Sequence, residues 1–97
     1  MSSKTPRRAL ITGGASGFGL ATAGALLEQG SQVAIGDVNT DQLKAAARAL
    51  DHNNLLPLEL DVTSKASAEA AVMACGDAFG GLDALVNSAG IIDFAPL

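Results

Sequence analysis

Short apolar runs alternate with segments of helical hydrophobic spacing along the whole chain. The apolar runs predict four strands, at 8–12, 32–37, 55–61 and 82–90, the last passing after residue 87 into a turn of small residues. The segments between them predict three helices, at 17–30, 39–51 and 63–80. Strands that alternate with helices through short loops are typical of a parallel sheet with helices on both faces. The pattern therefore predicts a doubly wound α/β fold with strand order 3-2-1-4.

Each predicted helix carries an apolar stripe that would face the sheet. The stripes are Leu20, Ala23, Gly24 and Leu27; then Leu43, Ala46, Ala47 and Leu50; then Val72, Cys75 or Gly76, and Phe79. Gly30 is a stop signal for the first helix, and Asn39 or Thr40 can cap the second. Pro57 lacks an N–H group, so the third strand is expected at an edge of the sheet.

Composition excludes several classes of function. The chain is 48% hydrophobic and 16% charged, which is globular rather than disordered, and its net charge of −4 offers no basic surface for nucleic acid. No segment reaches the ~18 apolar residues of a membrane span. The single cysteine, Cys75, excludes an internal disulfide, fits a cytoplasmic location and is expected to be a packing residue. His52 is expected to be a solvated loop residue, and one His, one Cys and scattered carboxylates cannot assemble a metal site.

The stretch "LITGGASGFGLA" (10–21) places Gly13, Gly14, Gly17 and Gly19 between a strand and a helix. Glycines there let the backbone turn tightly and approach a ligand, and the N-terminus of the next helix favours a phosphate. No Gly-Lys-Ser or Gly-Lys-Thr follows, which excludes the phosphate loop of nucleotide hydrolases. A tight turn that needs glycine for conformation alone stays open as the alternative.

Carboxylates follow two of the other strands. Asp37 ends the second strand, 24 residues after Gly13, where it could accept hydrogen bonds from both ribose hydroxyls of an adenosine. It would repel a 2′-phosphate, and its neighbours include no Arg, so the pattern favours NAD over NADP. The alternative is that Asp37 merely starts the next helical connection. Asp61 at the end of the third strand could meet an adenine amino group, or it could cap a loop.

These motifs resemble the short-chain dehydrogenase/reductase family. "TGGASGFG" (12–19) is similar to the family's Thr-Gly-x-x-x-Gly-x-Gly loop, and "NSAG" (87–90) to its Asn-Asn-Ala-Gly, with Ser88 replacing the second Asn. The resemblance covers about residues 7 to 97 and implies a Rossmann-type fold. It implies pyrophosphate contacts from Thr12, Gly13, Ser16, Gly17, Phe18 and Gly19. It further implies ribose contacts from Asp37, adenine contacts from Asp61 and Val62, and contacts along the ribose and the middle of the cofactor from Asn87, Ala89 and Gly90.

The resemblance also implies an NAD-dependent oxidoreductase that transfers hydride between the nicotinamide and an alcohol or ketone. The family's catalytic residues are a Ser, a Tyr and a Lys, but this chain contains no Tyr. We therefore assign no catalytic residue and expect residues 1–97 to be the N-terminal part of a single NAD(P)-binding domain, inactive alone and without the catalytic portion. The small alcohol or carbonyl substrate and a homo-oligomer would belong to the full-length form.

Three further expectations complete this interpretation. Without its neighbouring strand, the outer edge of the fourth strand would be open, which predicts marginal stability. A dinucleotide-binding module without catalysis of its own is one alternative function. An S-adenosylmethionine-dependent methyltransferase is the other, because such enzymes also use a glycine-rich first loop and an acidic end of the second strand.

Overall fold

A single twisted layer of strands organises the chain in the computed structural model, which describes residues 7–15 and 17–87, and the backbone of 94–96. The strands are β1 (Arg8–Thr12), β2 (Gln32–Asp37), β3 (Leu55–Glu59), β4 (Ala84–Asn87) and β5 (Phe94–Pro96). The helices are α1 (Gly17–Glu28), α2 (Thr40–Leu50) and α3 (Lys65–Phe79). The sheet order is β3-β2-β1-β4-β5, with β1 to β4 parallel. The predicted 3-2-1-4 order with three intervening helices is confirmed.

Local capping groups set the ends of α2 and α3, one or two residues inside the predicted limits. The Asn39 side chain accepts a hydrogen bond from the Gln42 N–H (3.0 Å) and begins α2, which ends at Asp51 in the left-handed conformation. Ser64 caps α3 in the same way, and Gly80 ends that helix with φ 80°. These contacts satisfy N–H and C=O groups that the helices leave without partners inside the helix.

The sheet separates two apolar clusters. Alternate strand residues such as Ile11 and Ile35 pack with α1 and α2 on one face, while Leu10 and Ala34 pack with α3 on the other. The predicted stripes of α1 and α2 do face the sheet: Ala23, Leu27, Leu43 and Ala46 are buried, and Leu20, Gly24, Ala47 and Leu50 are half-buried. Pro57 lies on the edge strand β3, as predicted.

The stripe of α3 differs from the prediction. Cys75 is fully buried and Phe79 is partly buried, but Val72 is 43% exposed, and Ala71 takes the sheet-facing position instead. Residues 68, 71, 75 and 79 share one helix face as well as 72, 75, 76 and 79 do, so helical spacing fits both rotations. Packing of α3 against the sheet selects the first.

The outer edge of β4 is not open, contrary to expectation. β5 returns antiparallel along it and pairs Leu85 with Ala95 and Val86 with Phe94. β5 was not predicted because a strand of three residues that ends at a proline is too short to show a periodic pattern of apolar residues. The edge of the sheet on this side is therefore β5 and not β4. β5 is short and contains Pro96, which lacks an N–H group and so limits pairing with a further strand.

Candidate functional site

The carboxyl ends of the parallel strands meet at one edge of the sheet, and most of the predicted site residues lie there. The register pairs Thr12 with Gly36 on β2 and with Asn87 on β4. The Thr12 hydroxyl donates to Asn87 Oδ1 at 3.1 Å, with the Val86 carbonyl oxygen 3.4 Å away as a second acceptor within reach. This contact joins the first and last of the sequence motifs across β1 and the adjacent strand β4.

The loop after β1 is held against the end of β2. The N–H groups of Gly13 and Gly14 both donate to the Gly36 carbonyl, at 2.8 and 3.2 Å. Gly13 has φ 66°, a conformation in which residues with a side chain are strained. Gly14 is required for a different reason, because a Cβ there would lie 2.8 Å from Cβ and Cγ2 of Ile35. The loop backbone is therefore bent and closely packed on its inner side.

The outer side of the same loop is open. Gly17 begins α1 with φ 57°, and a Cβ added there would meet nothing within 4 Å. Phe18 is 65% exposed, whereas Gly19 is buried. Because the first N–H groups of a helix have no acceptor within it, they form a positively polarised cradle next to this open space. The arrangement fits a phosphate group.

Asp37 lies one residue beyond the loop's anchor, at the end of β2. Its side chain is half-buried, and Oδ1 accepts a hydrogen bond from the Asn39 N–H at 3.1 Å. No other hydrogen bond to this carboxylate occurs within the described residues, so Oδ2 can accept bonds from a ligand. Asp37 thus starts the connection to α2, as the alternative interpretation held, and still presents one carboxylate oxygen at the edge of the site.

Asp61 lies just beyond β3, in a turn that leads into α3. Its Oδ1 accepts hydrogen bonds from the Thr63 N–H (2.9 Å) and the Thr63 hydroxyl (2.6 Å). These bonds, that from the hydroxyl first, hold the pKa of Asp61 below its usual value against a small opposing effect of desolvation. The carboxylate does cap a loop, as the alternative interpretation held, but one of its two oxygens is sufficient for this.

A cavity of about 190 Å³ lies on the α3 side of this edge. Thr12, Val62 and Asn87 line it together with apolar side chains of the sheet and of α3: Leu10, Leu60, Ala68, Val72 and Leu85. Val62 is 56% exposed. Residues from three of the predicted motifs therefore line this one apolar cavity.

The predicted residues Ser16, Ala89 and Gly90 lie outside the described residues. Sequence reasoning missed two residues that shape the site: Gly36, whose carbonyl anchors the loop, and Thr63, which holds Asp61. A glycine inside a strand and a threonine two residues after an aspartate are the local signals that could have identified them.

The remaining candidates for chemistry have structural contacts instead. Burial raises the pKa of the Cys75 thiol, which favours its unreactive protonated form and agrees with a packing role. His52 is exposed and accepts a hydrogen bond from the Asn54 N–H. Among residues 7–15 and 17–87, no group of three His, Cys, Asp or Glu side chains could hold a metal ion. Nor does any described helix have the length and hydropathy that crossing a bilayer requires.

Comparison with known proteins places this geometry in a family. The family model of short chain dehydrogenases matches residues 7–97. The 2,5-dichloro-2,5-cyclohexadiene-1,4-diol dehydrogenase LinX of Sphingobium indicum is 49% identical over 87 residues, which are 87% of this chain and 34% of the relative. Galactitol 2-dehydrogenase of Agrobacterium fabrum is 42% identical over 89 residues, covering 92% of this chain and 34% of that enzyme. The chain thus spans about a third of the length of these curated relatives.

Solved structures agree with the sequence relatives. A 3-ketoacyl-(acyl-carrier-protein) reductase from Brucella melitensis, crystallised with NADH, superposes with a TM-score of 0.75 at 35% identity, over 80% of this chain and 32% of its own. A short chain oxidoreductase from Pseudomonas aeruginosa with an atypical catalytic centre gives a TM-score of 0.80 at 38% identity, over 86% and 33%. The matching family model, the sequence relatives and the shared fold lead to one conclusion: this chain belongs to the short-chain dehydrogenase family.

Proposed function

We propose that the chain is the cofactor-binding N-terminal part, over residues 1–97, of an NAD-dependent oxidoreductase that transfers hydride between a nicotinamide and an alcohol or ketone. The observation that carries the proposal is the juxtaposition of the open, glycine-lined N-terminus of α1 with the Asp37 carboxylate at the same edge of the sheet. The first is suited to a pyrophosphate and the second to a ribose. The dehydrogenase relatives and the NADH-bound reductase support the same reading.

Each parallel strand, taken in chain order from β1 to β4, ends in or is followed by residues proposed to contact one part of the cofactor. Thr12, Gly13, Ser16, Gly17, Phe18 and Gly19 would surround the pyrophosphate, and Asp37 would bind the adenosine ribose. Asp61 and Val62 would bind the adenine, beside the apolar cavity that Val62 lines. Asn87, Ala89 and Gly90 would lie along the ribose and the middle of the cofactor. When bound, the cofactor would donate hydride to a ketone in its reduced form or accept hydride from an alcohol in its oxidised form, and these residues would orient it.

The preference for NAD over NADP rests on Asp37. Its second carboxylate oxygen would accept hydrogen bonds from the ribose hydroxyls. The same carboxylate would repel a 2′-phosphate, because two anions would be forced together. Asp37→Ala is expected to weaken NADH binding by about 1.5–3 kcal/mol, the range for hydrogen bonds to charged groups, and to relax discrimination against NADPH. Calorimetric titration of the complete gene product with both cofactors measures the two effects.

The matched control for this substitution is Asp41→Ala. Asp41 is an exposed carboxylate in the first turn of α2, four residues away, and no cofactor contact is proposed for it. It should leave both affinities unchanged. Equal affinity of the unsubstituted protein for NADH and NADPH would show that the role given to Asp37 is wrong.

The alternative function is a binding module without catalysis of its own; residues 1–97 contain no Tyr, one of the residues on which the family's catalysis depends. The 97-residue chain is accordingly expected to bind the dinucleotide without oxidising or reducing an alcohol or ketone. Turnover by the complete gene product, but not by residues 1–97, would support the enzyme. The absence of turnover in both would support the module. A methyltransferase finds no support in the family to which the chain belongs.

A small alcohol or carbonyl substrate, a homo-oligomer of the full-length form and a cytoplasmic location remain predictions from the sequence. Sedimentation of the complete gene product, and its activity against a panel of alcohols and ketones, would test the first two.

A further inference from the structure

The turn between β3 and α3 fixes Asp61 from three directions. The Asp61 N–H donates to the Ser67 hydroxyl (3.0 Å), and its carbonyl accepts from the Ser64 N–H (3.0 Å). The side chain is then held by the N–H and the hydroxyl of Thr63, both on Oδ1. Backbone and carboxylate are therefore set by separate hydrogen bonds, although the residue is exposed.

The two oxygens of this carboxylate differ in their surroundings. Oδ1 accepts two bonds, and the one from the Thr63 hydroxyl, at 2.6 Å, is in the short range of charge-assisted hydrogen bonds. Oδ2 forms no hydrogen bond within the described residues. Because Thr63 holds one oxygen, the carboxylate is prevented from rotating, and the direction of its free oxygen is fixed. Such an arrangement is suited to accept one donor at a defined position.

We infer that Thr63 is a positioning residue that aims the free oxygen of Asp61 at the 6-amino group of a bound adenine. The inference rests on the proposed function, in which Asp61 and Val62 meet the adenine. The amino group is the donor that a carboxylate can bind, since an ionised carboxylate only accepts hydrogen bonds. Thr63 itself touches no part of the cofactor and acts through Asp61.

The test compares two dinucleotides that differ at one position of the base. NADH carries a 6-amino group, and reduced nicotinamide hypoxanthine dinucleotide carries a 6-oxo group, which cannot donate to Asp61. The complete gene product, its Thr63→Val variant and its Thr63→Ser variant are titrated with each, using dihydronicotinamide fluorescence. Valine keeps the shape of the side chain and the backbone N–H but removes the hydroxyl, whereas serine keeps the hydroxyl.

Thr63→Val is expected to weaken NADH binding about two- to tenfold, the usual cost of ordering one free side chain on binding. Its affinity for the hypoxanthine dinucleotide should change by less than about twofold, so that the preference for adenine falls. Thr63→Ser should retain the preference. The ratio of the two affinities is taken within one variant, so a loss of folded protein affects both equally and cancels.

Four outcomes overturn the inference, and they are distinguishable. Equal losses for both dinucleotides in Thr63→Val would show that the threonine only supports the turn. A loss in Thr63→Ser as large as in Thr63→Val would assign the effect to the methyl group. If the unsubstituted protein binds neither dinucleotide, the proposed function fails and the role of Thr63 fails with it. Unchanged NADH affinity in Thr63→Val overturns the role of Thr63 alone.

Discussion

The glycines around the candidate site are required for different physical reasons. Gly13 and Gly17 have positive φ angles, so conformation restricts them to glycine. Gly14 and Gly36 are restricted by neighbours: a Cβ on Gly14 would meet Ile35, and a Cβ on Gly36 would lie 2.5 Å from Leu60 Cδ2 and 2.9 Å from Leu60 Cβ. Because Gly14 and Gly36 have no side chain, the loop can pack closely against the end of β2, and the end of β2 can pack closely against Leu60.

Gly14→Ala is expected to destabilise the protein by about 1–3 kcal/mol, the usual cost of overpacking a filled interior. The added methyl group would contact the Cβ and Cγ2 of Ile35 at 2.8 Å and the Ile11 carbonyl oxygen at 3.0 Å, and neither Cβ nor the backbone can move aside cheaply. Urea unfolding measures the change. Because the displaced loop also carries Gly13, dinucleotide binding should weaken in the same variant.

The control for this substitution is Gly76→Ala. Gly76 lies within α3, and a Cβ there meets nothing within 4 Å. Alanine should stabilise the helix by roughly 0.5–1 kcal/mol, because it loses less backbone freedom on folding than glycine does. A Gly14→Ala variant as stable as the unsubstituted protein would disprove the steric account.

Sequence reasoning identified residues whose chemistry is visible locally and missed those defined by distant contacts. Asp37 and the positive-φ glycines could be proposed as candidates because a carboxylate or a glycine cluster after a strand is itself unusual. The packing partner of Gly14 is Ile35, 21 positions along the chain by their numbers, and no local pattern indicates that contact. Thr63 was missed because its role depends on the rotamer of Asp61.

At the scale of elements, β1 and β4 are joined at both ends. Thr12 and Asn87 are hydrogen-bonded at the carboxyl ends of the strands, where the candidate site lies. Arg8 and Asp83 form a bidentate ion pair at the amino ends. Arg8 Nη2 donates to Asp83 Oδ1 (2.8 Å), while Nε and the backbone N–H donate to Oδ2 (both 3.0 Å). The Asp83 N–H in turn donates to the Arg8 carbonyl at 2.9 Å. The pair fixes where β4 begins relative to β1.

This ion pair predicts a dependence of stability on pH. The hydrogen bonds from Arg8 hold the pKa of Asp83 below its usual value, although partial desolvation opposes them. A carboxylate with a lowered pKa in the folded state stabilises the fold above its unfolded pKa, and that stabilisation is lost as the pH falls through the folded pKa. Asp83→Asn should therefore be less stable than the unsubstituted protein at neutral pH. The difference should narrow below about pH 4, where the unfolded carboxylate is protonated.

Unfolding by urea at neutral pH and at about pH 3 measures that difference. Asp77→Asn is the matched control, because Asp77 is an exposed carboxylate of α3 with no hydrogen-bond partner within the described residues. It should not destabilise the protein at neutral pH. A constant difference between the Asp83→Asn variant and the unsubstituted protein across this range would show that the charge on Asp83 does not contribute.

Most elements could be predicted because their signals repeat over several residues. The strands 8–12 and 32–37 have the predicted limits, and each helix lies within its predicted segment. β3 and β4 are shorter than predicted: the Asp61 N–H already bonds to Ser67 of α3, and Asp83 belongs to the ion pair. The return of β5 along β4 depends on pairing between strands, and no periodicity within three residues can indicate it.

At the scale of the whole molecule, the α/β alternation was sufficient to predict that the candidate site residues share one edge of the sheet. Parallel strands bring their carboxyl ends to one edge, so four motifs spread over 76 positions, from 12 to 87, converge there without any knowledge of side-chain packing. The rotation of α3 could not be deduced in this way. Two rotations suit its small and apolar residues about equally, and only contact with the sheet distinguishes them.

That rotation leaves apolar side chains of α3 on the surface. Met73 is 69% exposed and Val72 is 43% exposed, and Val72 also lines the cavity that Leu60 and Leu85 border. Among the described helices, α1 and α2 cover one face of the sheet while α3 alone covers the other. Adjacent exposed apolar residues of this kind are typical of surfaces that associate with other surfaces.

We expect the 97-residue chain to self-associate through this face, and Val72→Lys combined with Met73→Lys to weaken the association. Losing about 1.4 kcal/mol of apolar burial corresponds to a tenfold higher dissociation constant. Sedimentation velocity over a range of concentrations measures it. Val38→Lys is the control, because Val38 is 62% exposed but follows β2, outside α3, and is not one of the residues that line the cavity. The self-association should persist in that variant. A chain that sediments as a monomer at all concentrations, or a Val38→Lys effect as large as that of the double variant, would contradict the assignment of the α3 face.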